Sequence, residues 1–123
     1  MSTIQILTEF KKNLVQFFDE LIEQFPEEGD FVIFRIFIKD QLPIQEVMTY
    51  FITDILPRKA EIKARDDAIM NELSFGMDKN KAGSLRRIWR SPKLDAEDRN
   101  VIWRWFDTFI FLVEKYQKSL LTK

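Results

Sequence analysis

The stretch FVIFRIFIKD, Phe31–Asp40, decides how the chain folds. Its β-branched and aromatic content favours a strand. A lone strand without a partner is not stable, and no second segment of this kind occurs in the 123 residues. We therefore read it as a short buried helix, which makes the chain all-α. Composition agrees. Gly 3 and Pro 4 punctuate few turns, favouring long helices over many short strands. Phe 12 implies an aromatic core, and 46% hydrophobic with 32% charged residues fits a globular chain of one domain's length.

The flanking segments read as helices too. Ser2 can cap the first one, with Gln5 reaching back from three residues on. Leu7, Phe10, Leu14, Phe17 and Leu21 recur at three- and four-residue spacing, and Phe18, Ile22 and Phe25 widen that face beyond a coiled-coil seam. Pro26 in PEEGD ends it. A third helix opens at Pro43, carries Ile44, Val47, Met48, Phe51, Ile52 and Ile55, and is broken or kinked at Pro57. The continuation to Leu73 has only a thin apolar line of Ile62, Ile69 and Leu73, and is expected to be peripheral. SFGMDKNKAGS (74–84) reads as a flexible loop. The last helix starts at Asp95, a favoured cap followed by Glu97 and Asp98, and its buried stripe is Ile102, Phe106, Phe109, Val113, Tyr116 and Leu120. The expected architecture is a single compact bundle of five or six helices over residues 1–123, with an aromatic-rich core.

Composition removes several chemistries. With no cysteine there are no disulfides, zinc–thiolate sites or cysteine nucleophiles, and with no histidine the usual general base and commonest metal ligand are missing. The start MSTIQILTEFKK lacks the basic and apolar regions of a signal peptide. The longest apolar runs, FVIF and FIFLV, fall far short of the roughly 20 residues that span a bilayer. No membrane association is expected, and the chain is read as soluble and intracellular. We expect no catalytic residues, no cofactor and no metal site.

Charge is distributed unevenly although the net is only -1. Lys79–Lys93 (KNKAGSLRRIWRSPK) holds Lys79, Lys81, Arg86, Arg87, Arg90 and Lys93 and no acid. Leu85, Ile88 and Trp89 share one side of a short helix and should dock inward, leaving the arginines to solvent. Two arginines in its first turn oppose the helix dipole by roughly 0.3–1 kcal/mol. Three readings fit: internal pairing with Asp95, Glu97 and Asp98, an acidic protein partner, or phosphate contacts on nucleic acid. SPKL departs from the Ser-Pro-Lys-Lys minor-groove pattern at Leu94. Asp19–Asp30 is the acidic counterpart, with six acids and no base, and opposed patches permit self-association. Arg65, Asp66 and Asp67 read as a structural ion pair or partner contact rather than as acid–base machinery. Trp103 and Trp105 cannot share one helix face. The stripe through Phe106 and Phe109 draws Trp105 inward and leaves Trp103 as the candidate exposed anchor, with a second small core behind the last helix as the alternative.

Pro57, Lys59, Ile62, Arg65 and Asp66 form a P-x-K-x-x-I-x-x-R-D line, followed by Leu85, Trp89 and LDAEDRNVIWRWF (94–106). Together with FFDELIEQFPEE (17–28), these residues resemble a small all-helical protein family of large nucleocytoplasmic DNA viruses of algae and amoebae, departing from it at Ala68. The resemblance covers most of the chain and implies an all-helical fold and a place in the infected cell's cytoplasm, nucleus or virus factory, or in the virion. It carries no catalytic site. The function expected is therefore a viral, non-enzymatic protein–protein interaction module. It would bind a virion, virus-factory or host protein, or a second copy, through Trp103, Arg65 and Asp66. The alternative is a nucleic-acid-associated protein using the 79–93 patch.

Overall fold

The computed structural model describes residues 2–73 and 83–121, and the described residues are helical with no strand. Helix α1 (Thr3–Gln24) and helix α6 (Ala96–Leu121) form a long antiparallel pair. Around them lie α2 (Gly29–Ile36), α3 (Ile44–Tyr50), α4 (Lys59–Lys63) and α5 (Gly83–Trp89). The architecture is the all-α bundle with an aromatic core that composition implied.

The α1 start forms as read. Ser2 Oγ accepts from Gln5 N–H at 3.1 Å while Gln5 Oε1 accepts from Ser2 N–H at 2.8 Å, satisfying two helix-end donors at once. The face from Leu7 to Phe25 is buried, with Phe10, Leu14, Phe17 and Phe18 fully enclosed. Phe10 meets Phe51 at 5.0 Å and Phe109 at 6.2 Å, and Phe17 meets Phe106 and Phe109 at 6.0 and 5.4 Å, all edge-on. Edge-to-face pairs are worth about 0.5–1.5 kcal/mol beyond their buried area. Phe109 is the shared member, so one α6 side chain joins α1, the turn that continues α3 and its own helix.

The deciding stretch is helical. Phe31, Phe34 and Ile38 turn inward, the two phenylalanines against Phe18, and Arg35 pairs with Asp19 of α1. It is buried on that side alone: Val32 and Ile36 are 41% and 45% exposed. After Ile36 the helix widens into a π-type turn over Phe37–Gln41, closed by Leu42 N–H on Phe37 O at 2.7 Å. Leu42 is extended, as a residue before proline prefers.

Pro57 has a local effect rather than ending the element. Proline cannot donate and its ring crowds the preceding turn. The chain answers with a π-type turn over Phe51–Ile55 and a 3₁₀ turn over Leu56–Arg58, then resumes as α4. The segment expected to be peripheral is charged outside but seated in the core: Ile62, Ile69 and Leu73 are all buried. One stripe member departs from expectation. Leu120 is exposed, because Thr3 Oγ1 meets Ser119 Oγ at 2.9 Å where α1 begins, and the end of α6 runs past it. Among the described residues no helix is long and apolar enough to cross a membrane.

Phe109→Ala should cost about 3–5 kcal/mol in urea unfolding, while exposed Leu120→Ala stays within about 0.5 kcal/mol. Comparable losses would mean the core is not centred on Phe109.

Candidate interaction surface

The basic segment is docked, and its acidic partners are not those expected. Leu85, Ile88 and Trp89 are buried on α5. Arg87 forks onto Glu28, with Nε and Nη2 at 3.0 and 2.8 Å from its two carboxylate oxygens, and lies 3.6 Å from Asp30. Lys93 reaches Glu27 at 3.2 Å. Among the described residues Arg90 meets Asn71 at 3.5 Å, and Arg86 is exposed. Lys79 and Lys81 lie outside the described residues.

Pairing with Asp95, Glu97 and Asp98 is therefore replaced by pairing with the end of the acidic stretch. The reason is that the acids at the start of α6 have local work. Asp95 Oδ1 accepts from Asp98 N–H at 2.8 Å, Asp95 N–H donates to Asp98 Oδ2 at 3.3 Å, and that same oxygen accepts from Gln24 at 2.9 Å. Donating to Glu28 holds the Arg87 guanidinium more firmly protonated than usual. Glu27 lies below the ordinary carboxylate range, first through a backbone hydrogen bond and then through Lys93.

Trp103 is not an exposed anchor: it is 3% exposed. It packs edge-on against Trp89 at 5.2 Å, with the Arg65 guanidinium 5.6 Å from its ring centre. Helix α6 is buried on two sides, Phe106 and Phe109 toward α1 and Trp103 toward α4 and α5, and both sides belong to one continuous core rather than to a separate second one. Arg99 completes the Trp103 side, stacked 5.6 Å over Trp89 and donating to the Trp89 carbonyl at 2.9 Å. The Arg99 Nε is buried with no hydrogen-bond partner among the described residues.

Arg65 and Asp66 both make contacts within the chain. Arg65 grips Asp107 with two bonds, 3.0 and 2.7 Å, raising its own basicity and pulling the Asp107 carboxyl below its ordinary value. Asp66 caps the following 3₁₀ turn through Ala68 N–H at 3.1 Å, and Asp67 accepts from Trp89 Nε1 at 3.1 Å. Arg65 has φ 57°, in the left-handed region. Asp66 N–H bonds Glu61 O and Arg65 N–H bonds Ile62 O, the Schellman ending usually built on glycine.

Trp105 is the residue the sequence reading missed. It is half-buried, stacked on Phe109 at 5.9 Å, with its indole N–H donating to Glu20 at 2.6 Å. Two clefts meet at its ring along the α1–α6 seam. One, of about 200 Å³, is floored by Phe17, Leu21 and Ile102 and edged by Gln24 and Asp98. The other, of about 380 Å³, is lined by Asn13, Val101, Arg104 and Thr108 with Trp105. Val101 borders both and is 37% exposed. The signal available in the sequence was the run Asp98, Val101, Trp105, Thr108, one helical stripe of mixed character beside the Phe106 stripe. Among the described residues no three acidic side chains are grouped to hold a metal ion. No family model, no curated protein and no solved structure matches the chain.

The Asp107 carboxyl is a weaker base folded than unfolded. It therefore contributes stability above the ordinary range, about pH 4, and that contribution is lost as the pH falls through its folded value. The melting-temperature gap between the native chain and Asp107→Asn should be present at neutral pH and close on acidification; a gap independent of pH would contradict the pairing. At Arg65, Gly relieves a left-handed strain of about 1–2 kcal/mol that Ala retains. Arg65→Gly should thus be more stable than Arg65→Ala by about that amount in denaturant titration, and equal stability would exclude the left-handed backbone.

Proposed function

We propose that the chain is a non-enzymatic protein–protein interaction module that docks its partner along the α1–α6 seam. The observation that carries this reading is Trp105: a half-buried indole, braced by Phe109 and Glu20, at the meeting point of two clefts. A rigid aromatic over an apolar floor with a polar edge is the usual form of an interface anchor. The anchor role assigned to Trp103 passes to Trp105.

The resemblance to the large-DNA-virus family supports a viral or host protein as partner, met in the cytoplasm, nucleus or virus factory of an infected cell or in the virion. Phosphate binding by the 79–93 patch is the less favoured reading. Affinity for nucleic acid rests on cations free to replace counterions, and Arg87 and Lys93 already face carboxylates.

The test uses immobilised chain in extract of infected cells, followed by titration with the captured protein once purified. The native chain should bind it, and Trp105→Ala should weaken binding about tenfold or more with unchanged circular dichroism. Undiminished binding by Trp105→Ala would remove the seam from the interface.

A further inference from the structure

Helix α6 carries a second outward face. Phe111 stands at its middle and is 58% exposed, the one aromatic ring among the exposed large apolar side chains described. Arg104, Asp107, Glu114, Lys115 and Lys118 stand three, four or seven residues from it, on the same side of the helix. Lys115 Nζ lies over the ring, 5.1 Å from its centre. Helix α4 borders this face. Lys59 meets Glu114 at 2.9 Å, Arg65 holds Asp107, and the charge of Lys63 also acts on the Asp107 carboxyl. Glu61 is two residues from both lysines and so lies on the other flank of α4, where Arg58 takes it. The face thus holds six bases against two acids, and both acids are already paired with Arg65 and Lys59. Lys63, Arg104 and Lys118 are exposed and make no ion pair among the described residues. The acids of Asp19–Asp30 and Asp95–Asp98 meet at the start of α6, so a net charge of -1 hides a basic face further along it.

An exposed ring bordered by cations matches two parts of one ligand. A ring stacks on a base, and cations take phosphates in place of counterions. A duplex keeps its base faces covered, so the matching ligand is single-stranded. Carboxylates of an acidic protein would satisfy the cations and leave the ring unused. We infer that the α4–α6 face binds single-stranded nucleic acid, with Phe111 stacking on a base and Lys63, Arg104 and Lys118 contacting phosphates. These contacts read neither the base edge nor the sugar, so binding is tolerant of sequence. Arg104 to Lys118 covers about 21 Å of helix, which suits a short site of about four nucleotides. The face neighbours the seam at Arg104 but uses none of the seam's aromatic residues.

The probe is a fluorescein-labelled oligothymidylate of about 16 nucleotides, titrated with the whole chain and read by anisotropy. The native chain should bind with a Kd of about 100 µM or tighter at about 50 mM salt. Log K should fall against log salt with a slope of about -2, from three phosphates at about 0.7 each. Phe111→Ala, at an exposed position, should weaken binding about fivefold or more and leave the slope unchanged. Lys63→Gln combined with Lys118→Gln should bring the slope to about -1. Trp105→Ala, and Arg86→Gln combined with Arg90→Gln, should bind as the native chain does, and all variants should keep the native circular dichroism. Absence of binding at low salt would overturn the inference, as would undiminished binding by Phe111→Ala. A loss in the Arg86 and Arg90 variant, with none in the Lys63 and Lys118 variant, would move the contact to α5 and overturn it. Polyglutamate bound as tightly as the oligonucleotide, and equally by Phe111→Ala, would make the face an acidic-protein site and overturn it as well.

Discussion

The contact of Phe17 with Phe109 is the one on which the other helices depend. It joins the two long helices at 5.4 Å, and from it the aromatic set extends to Phe10, Phe51, Phe106 and Trp105. α3 is held through Phe51, the residue just after it, which touches both Phe10 and Phe109. α2 is held by the next residue of α1 after Phe17, where Phe18 meets Phe31 and Phe34. Rings pack edge to face with little rotamer freedom to lose. That suits short helices of seven or eight residues, which would be marginal alone.

Charge does a different job. Helices α2, α4 and α5 are each located by an ion pair to a long helix or to the turn beside one: Arg35 to Asp19, Lys59 to Glu114 and Arg65 to Asp107, Arg87 to Glu28. Exposed pairs contribute about 1 kcal/mol or less. They orient the short elements more than they stabilise them, and they neutralise much of the surface field that the uneven sequence suggests.

Helix positions were legible where a single periodicity ran unopposed. The α1 face and its Ser2–Gln5 cap needed only local rules. Phe31–Asp40 was legible by elimination, since its β propensity had no partner to satisfy, yet the exposure of Val32 and Ile36 was not. Which side of a wholly apolar helix faces out depends on neighbours rather than on spacing. The tryptophans show the same limit. Trp103 and Trp105 were known to face apart, but the reading assumed one buried face on α6. The segment after Pro57 and helix α5 cover a second one, so Trp103 goes inside and Trp105 becomes the rim. Arg87 reached Glu28 across 59 positions of chain, a pairing no local rule could select over Asp95.

Arg65 shows how the two tiers meet. Its left-handed backbone would suit glycine better, and the ion pair with Asp107 is too exposed to offset the strain alone. The guanidinium also lies over Trp103 and donates to the Ile62 carbonyl. One side chain thus ends α4, covers Trp103 and fixes the face of α6 beside the Phe106 stripe. Rotation of α6 about its axis is then set from two sides at once, by Phe109 within and Arg65 without. That double constraint is what holds Val101 and Trp105 in a fixed row along the α1–α6 seam.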